Sequence, residues 1–164
     1  MVPGKSTHVV FKSTQARGKL SFYTHKILIH QTIQKLSKKY LVQVQDYVNM
    51  GNHLHLKVRF KNPDHFKNFI RVFGALISRQ ITGARKGRPF GKFWDSLVYT
   101  RVLHSSLEEL QLKGYFEGNH RERELGYSER LVYLKNWNAF IQKLKHVKAV
   151  TRQESELILN LPSG

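Results

Sequence analysis

The octapeptide His53-Leu-His-Leu-Lys-Val-Arg-Phe60 restricts most strongly what this chain can fold into. Side chains of a β-strand alternate between its faces, so Leu54, Leu56, Val58 and Phe60 fall on one side and His53, His55, Lys57 and Arg59 on the other. The pattern predicts a sheet with an apolar core face and a cationic working face. On that working face the Cβ atoms of His53 and His55 would sit roughly 6–7 Å apart, near enough for both imidazoles to converge on one ion. A solvated strand face would carry two histidines equally well, and three or four ligands usually define a metal site.

The flanking segments extend the sheet. His8–Lys12 reads as a first strand, with Val9 and Phe11 opposite His8, Val10 and Lys12. Helical spacing of Phe22, Ile29, Ile33, Leu36 and Tyr40 predicts a helix over about residues 22–40. Leu41–Val48 is rich in β-formers, and Asn49-Met-Gly-Asn52 supplies a turn into the histidine strand, which makes a hairpin. Asn62-Pro63 is an N-cap and first-turn pair for a helix to about residue 81, striped by Phe66, Phe69, Ile70, Phe73, Ile77 and Ile81. A basic glycine-containing loop, residues 82–92, leads to a fourth strand expected over Phe93–Leu103. Ser105 and Ser106 with Glu108 and Glu109 resemble a capping box and open a helix to about residue 119. The order βαββαβα is that of the α+β, ferredoxin-like class, a βαββαβ sandwich with a four-stranded antiparallel sheet and helices on one face. Residues 1–126 form the expected catalytic part. Residues 127–164 form a C-terminal helical extension, with a fourth helix around Trp137, Phe140, Ile141, Leu144 and Val147 and a flexible or docking tail from Thr151.

The chain has 164 residues, long enough for one core, and carries a formal charge of +17. The charge is uneven: residues 1–107 hold 19 Lys and Arg against three acids, and residues 108–164 hold nine against eight. Basic residues spread over several elements point to nucleic acid before membrane, because a membrane-surface segment would gather them on one amphipathic helix. Without cysteine there are no disulfides and no thiolate metal sites, and no apolar run is long enough to span a membrane. A soluble intracellular protein is expected. Arg85, Lys86, Arg88 and Lys92 alternate with aromatics through Phe93 and Trp94, the composition with which single strands are held by phosphate contact and base stacking. A mobile loop leading into a core strand would have the same composition.

Chemistry requires more than charge. A third helix packed beside the histidine strand would present Tyr115 and Asn119 from one face, since positions four apart are neighbours on a helix. Tyr115 offers a nucleophilic phenol and Asn119 an amide oxygen able to ligate a metal. A half-buried aromatic and a helix-terminal asparagine are the plain alternatives.

These residues also carry a resemblance. The string Tyr47-Val-Asn-Met-Gly-Asn-His-Leu-His-Leu56 resembles the histidine-hydrophobe-histidine strand of the single-tyrosine HUH transposases, which include the REP-associated tyrosine transposases. There follow, in the family's order, Phe93-Trp94, a strand ending near Arg101-Val-Leu, a Ser-x-x-Glu helix start, and Tyr115-Phe-Glu-Gly-Asn119, similar to the family's Tyr-Ile-x-x-Asn-Pro block. About residues 8–125 are covered. Gly51 stands where the family usually has proline before Asn-His, and His120 where proline follows the asparagine. Gly114 and Gly118 flank the motif and each weakens a helix by roughly 1 kcal/mol relative to alanine.

The resemblance implies a metal-dependent single-stranded DNA endonuclease and strand-transferase acting at hairpin or palindromic DNA. His53, His55 and Asn119 would hold Mg or Mn, and Tyr115 would attack phosphorus, release a 3′-hydroxyl and stay joined to the 5′-phosphate. Lys57, Arg59 and the basic loop would grip the strand. A phenol is a poor nucleophile until a base takes its proton, and His120 and Glu117 are the neighbouring candidates. The implied setting is the prokaryotic cytoplasm at the nucleoid, and the implied state a monomer or a homodimer. A domesticated nucleic-acid-binding protein that has lost cleavage is the alternative; it would need none of the four site residues.

Overall fold

A computed structural model describes residues 2–159, with side chains through Lys145. Leu54, Leu56, Val58 and Phe60 of the histidine strand are at most 2% exposed, whereas on the other face Arg59 is open to solvent, His53 and Lys57 are half-buried and His55 is buried. The elements are β1 (Ser6–Lys12), α1 (Lys26–Lys39), β2 (Val42–Asn49), β3 (His53–Phe60), α2 (Pro63–Thr82), β4 (Tyr99–Val102), α3 (Ser106–Leu125) and α4 (Tyr127–Leu159). The four strands form one antiparallel sheet in the order β2-β3-β1-β4. This is the expected ferredoxin-like α+β arrangement, in which the first βαβ crossover leaves the gap that β3 fills and the second passes over β1.

The core lies on the apolar face of the sheet. Val9, Phe11, Leu54, Leu56 and Val58 meet Ile29, Ile33 and Leu36 of α1 and Phe66, Phe69, Phe73 and Ile77 of α2. Asn62 caps α2 by accepting from the Asp64 backbone N–H at 2.8 Å, with Pro63 in the first turn. Gly83, at φ +69°, ends α2 in the left-handed conformation that costs glycine least.

Four boundaries differ from expectation, one of them the end of α3, which runs to Leu125 rather than to about residue 119. β1 starts two residues earlier, because Ser6 and Thr7 pair with Arg59 and Val58. The first helix begins only at Lys26, after a 3-10 turn at Gly18–Leu20. The fourth strand, expected over Phe93–Leu103, is confined to Tyr99–Val102. Its first half is spent on the core: the Phe93 ring is 5% exposed, Trp94 donates from Nε1 to the Gly74 carbonyl, and Asp95 accepts from both the backbone N–H and the hydroxyl of Thr14.

Two compact units divide the chain, one ending at Leu112 and one beginning at Lys113. The second unit is helical. A Cβ on Gly114 would lie 2.0 Å from Trp137 Nε1, and one on Gly118 would lie 2.9 Å from Leu134 Cδ2. The two glycines, expected only to weaken α3, are thus what lets α4 approach it. α4 continues through the first part of the segment expected to be a tail, as far as Leu159. The remainder of that tail, residues 160–164, lies outside the described residues.

Candidate functional site

The hairpin turn sets the histidine strand in place. Gly51 takes φ +82°, its N–H donates to Asn49 Oδ1 at 2.9 Å, and its carbonyl accepts from the Phe22 N–H at 2.7 Å. Asn49 Nδ2 reaches back to the Phe22 carbonyl at 2.8 Å, so the turn is tied to the segment before α1. Proline cannot occupy this conformation, since its ring holds φ near −65° and it has no N–H. The departure at Gly51 is therefore a different turn, locked by its own contacts. Gly51→Pro should cost at least about 2 kcal/mol, through a φ of +82° that proline cannot adopt, a lost donor and contact with the Tyr23 ring. Chemical denaturation measures this; an unchanged midpoint would mean that the turn is not held as described.

His53 and His55 leave β3 on the same face, with ring centroids 4.8 Å apart and planes at 85°. His53 Nδ1 lies 2.6 Å from Asn52 Oδ1; a carboxamide oxygen only accepts, so Nδ1 is the donor. His55 is 5% exposed. Its Nδ1 lies 3.0 Å from Nε2 of His8 on β1, and the two rings stack at 5.2 Å. Burial, then the field of Arg101, lowers the His8 imidazole to about 4. Tyr99 on β4 meets His8 edge-on at 6.2 Å. The sequence reading placed His8 on the right strand face but assigned it no role. Its link to His55 depends on the β1/β3 register, which residue patterns do not contain.

Lys57 and Arg59 share the histidine face but differ in availability. Lys57 Nζ is bound to Glu109 Oε2 at 3.0 Å, while Arg59 lies 4.0 Å from Glu109 and donates to Ser6 Oγ. Lys57, then burial's opposing effect and Ser6, leave the Glu109 carboxyl below its usual range. The Lys57 ammonium thus anchors the first turns of α3 rather than standing ready for phosphate. At the start of that helix, Ser105 Oγ accepts from the Glu108 N–H, and Glu108 accepts from the His104 N–H and from Arg101 Nη2. This is the expected capping exchange moved back by one residue, and it holds Glu108 below the usual carboxylate range.

The basic loop turns back on itself between Arg85 and Arg88, whose backbones exchange bonds of 3.1 and 2.9 Å around Gly87 at φ +80°. Arg85, Lys86, Arg88 and Lys92 are all exposed. Beside them runs a groove of about 710 Å³ lined by Arg79, Arg85, Lys86, Phe90, Phe93 and Trp94 among others. Phe93 is buried and Trp94 largely so; the ring that is open for stacking is Phe90, at 40% exposure. Arg79 is the groove cation that sequence reading missed, because a basic residue in a last helical turn is already accounted for by the helix dipole. Replacing Arg85, Lys86 and Arg88 together should reduce the slope of log K against log salt by about 2 on single strands. Filter-binding titrations across salt would test this, and an unchanged slope would dismiss the loop as a binding element.

In the helical unit Tyr115 and Asn119 lie one turn apart on α3. Tyr115 is half-buried, and the Arg130 guanidinium of α4 sits over its ring at 5.8 Å, itself held by Glu122. Asn119 is fully buried, and neither atom of its carboxamide has a hydrogen-bond partner among the described residues. Such an orphaned polar group is costly unless something binds it. Glu117, one candidate proton acceptor, is occupied by the hydroxyl of Tyr133 and lies 3.7 Å from Lys113. Burial and the Glu117 carboxylate push the Tyr133 phenol well above its ordinary value, which makes it a poor nucleophile. Among the described residues no group of three or more His, Cys, Asp or Glu side chains could hold a metal ion, and no helix is long and apolar enough to cross a membrane.

No family model matches the chain, and no curated protein matches it significantly. Among solved structures the fold is similar to that of a REP-associated tyrosine transposase bound to a REP hairpin, with a TM-score of 0.61 at 12% identity over 77% of this chain and 72% of that one. A second similar structure, from Deinococcus radiodurans R1 and described only provisionally as a transposase, has a TM-score of 0.46 at 12% identity over 73% of this chain and 93% of that one.

Proposed function

We propose that this chain is a metal-dependent single-stranded DNA endonuclease and strand-transferase of the single-tyrosine HUH class, acting at hairpin or palindromic DNA. The observation that carries the reading is the histidine pair: two imidazoles with ring centroids 4.8 Å apart on one sheet face, one of them held through Nδ1 by Asn52. The fold shared with a tyrosine transposase that was solved on a REP hairpin supports the choice of substrate.

The donor set suits a divalent ion. The carboxamide oxygen of Asn119, buried and with no hydrogen-bond partner among the described residues, is of the neutral oxygen kind that could join two imidazoles on such an ion. His53, His55 and Asn119 would hold Mg or Mn, which supplies Lewis-acid polarisation of the scissile phosphate. Tyr115 Oη then forms the new bond to phosphorus as the bond to the 3′ oxygen breaks; a base takes the phenol proton and returns it to the departing 3′ oxygen, which leaves as a hydroxyl. The DNA remains joined through its 5′-phosphate, and the phosphotyrosine stores the bond for rejoining. Arg130, over the Tyr115 ring, packs against its face. The exposed loop cations and Phe90 hold the strand along the groove.

The reading is tested by incubating the protein with a hairpin-bearing single-strand library and Mg or Mn, then recovering and sequencing DNA that stays attached through denaturation. Covalent capture with a defined 5′ end is expected. Tight binding with no cleavage would instead assign the chain to the non-catalytic, domesticated binders.

A further inference from the structure

We propose that His8 is a positioning residue that holds His55 in the one tautomer able to bind metal through Nε2. The inference rests on the proposed role of the histidine pair. β1 and β3 pair with Val10 opposite His55 and His8 opposite Lys57, so His8 and His55 are diagonal neighbours on one face. Their nitrogens meet at 3.0 Å, Nε2 of His8 against Nδ1 of His55, and the rings stack with an interplanar angle of 21°.

One proton lies between the two nitrogens, and its owner decides what His55 can do. If His8 donates it, His55 has its own proton on Nε2 and offers no lone pair outward. With the proton on His55 Nδ1, His8 Nε2 accepts and His55 Nε2 is a ligand. The second arrangement matches His53, whose Nδ1 donates to Asn52 Oδ1. Both imidazoles are then fixed from behind by their Nδ1 atoms, His53 by the turn and His55 by the neighbouring strand. A partner of this kind sets tautomer and ring orientation, and its loss typically weakens metal affinity about 10- to 100-fold. Stacking on His8 further restricts rotation of the buried His55 ring.

Two measurements test the role. Two-bond ¹⁵N–¹H spectra of the metal-free protein report the tautomer directly: His55 should be protonated on Nδ1 in the wild type and in His8→Gln, whose side-chain oxygen also accepts, but not held so in His8→Ala. Calorimetric titration with Mn(II) should show His8→Ala weakened about 10- to 100-fold and His8→Gln restored to within about threefold of the wild type. A wild-type His55 protonated on Nε2 overturns the proposal, as does unchanged Mn(II) affinity in a folded His8→Ala. If His8→Ala does not fold, the wild-type tautomer and the Gln variant still decide. A wild type that binds no Mn(II) removes the metal reading of the pair, while the tautomer spectrum separately accepts or rejects the control of His55 by His8.

Discussion

Tyr115→Phe should abolish the denaturation-resistant DNA adduct completely while leaving the fold and DNA affinity intact. The substitution removes one oxygen. It keeps the half-buried ring and its contact with Arg130, so the loss of stability should stay within about 1.5 kcal/mol, the usual net worth of one hydroxyl hydrogen bond. DNA affinity comes from many phosphate contacts and should stay within about threefold. The check is a denaturing gel with 5′- and 3′-labelled hairpin strands, in Mg or Mn, followed by peptide mapping of the wild-type adduct. An adduct on the phenylalanine variant would move the nucleophile elsewhere, first to Tyr99, which is 55% exposed and touches His8. Cleavage without any adduct in either protein would make the reaction a water-mediated hydrolysis and remove the transposase reading.

His53→Ala should lower metal-dependent cleavage by more than about a hundredfold with DNA binding nearly unchanged. Lewis-acid stabilisation of the scissile phosphate is worth several kcal/mol, whereas the basic surface grips many phosphates. His53 is the cleaner test of the pair. Its ring is partly exposed, so truncation leaves no cavity, while His55→Ala also breaks the buried contact with His8 and should cost about 1 kcal/mol of stability besides activity. Single-turnover cleavage beside equilibrium binding, in parallel with thermal unfolding, separates these effects. Equal loss of binding and cleavage together with a lowered melting temperature would make the histidine strand a structural element only.

Much of this was legible in the residues themselves because its cause is local. Alternation along residues 53–60 dictates which side chains face the core, and Asn62-Pro63 and Gly83 start and stop α2 through backbone geometry and capping alone. The βαββαβ order then leaves few ways to pair four strands, and the observed β2-β3-β1-β4 sheet is the expected one. Phe93 and Trp94 show where local reading ends. Their β-forming, aromatic character suits a strand or a stacking platform, but the space under Phe22 and Gly74 takes both into the core and shortens β4.

The same division runs through the candidate site. The sequence by itself determined that His53, His55, Lys57 and Arg59 share one strand face and that Tyr115 and Asn119 lie one helical turn apart, because backbone periodicity alone decides both. Only the tertiary structure decided what surrounds them: Lys57 is taken by Glu109, His55 meets His8 across a strand register, and Gly114 beside Tyr115 makes room for Trp137. Each of these contacts joins residues far apart in the chain, where burial and the packing of neighbouring elements set the outcome and no local pattern records it.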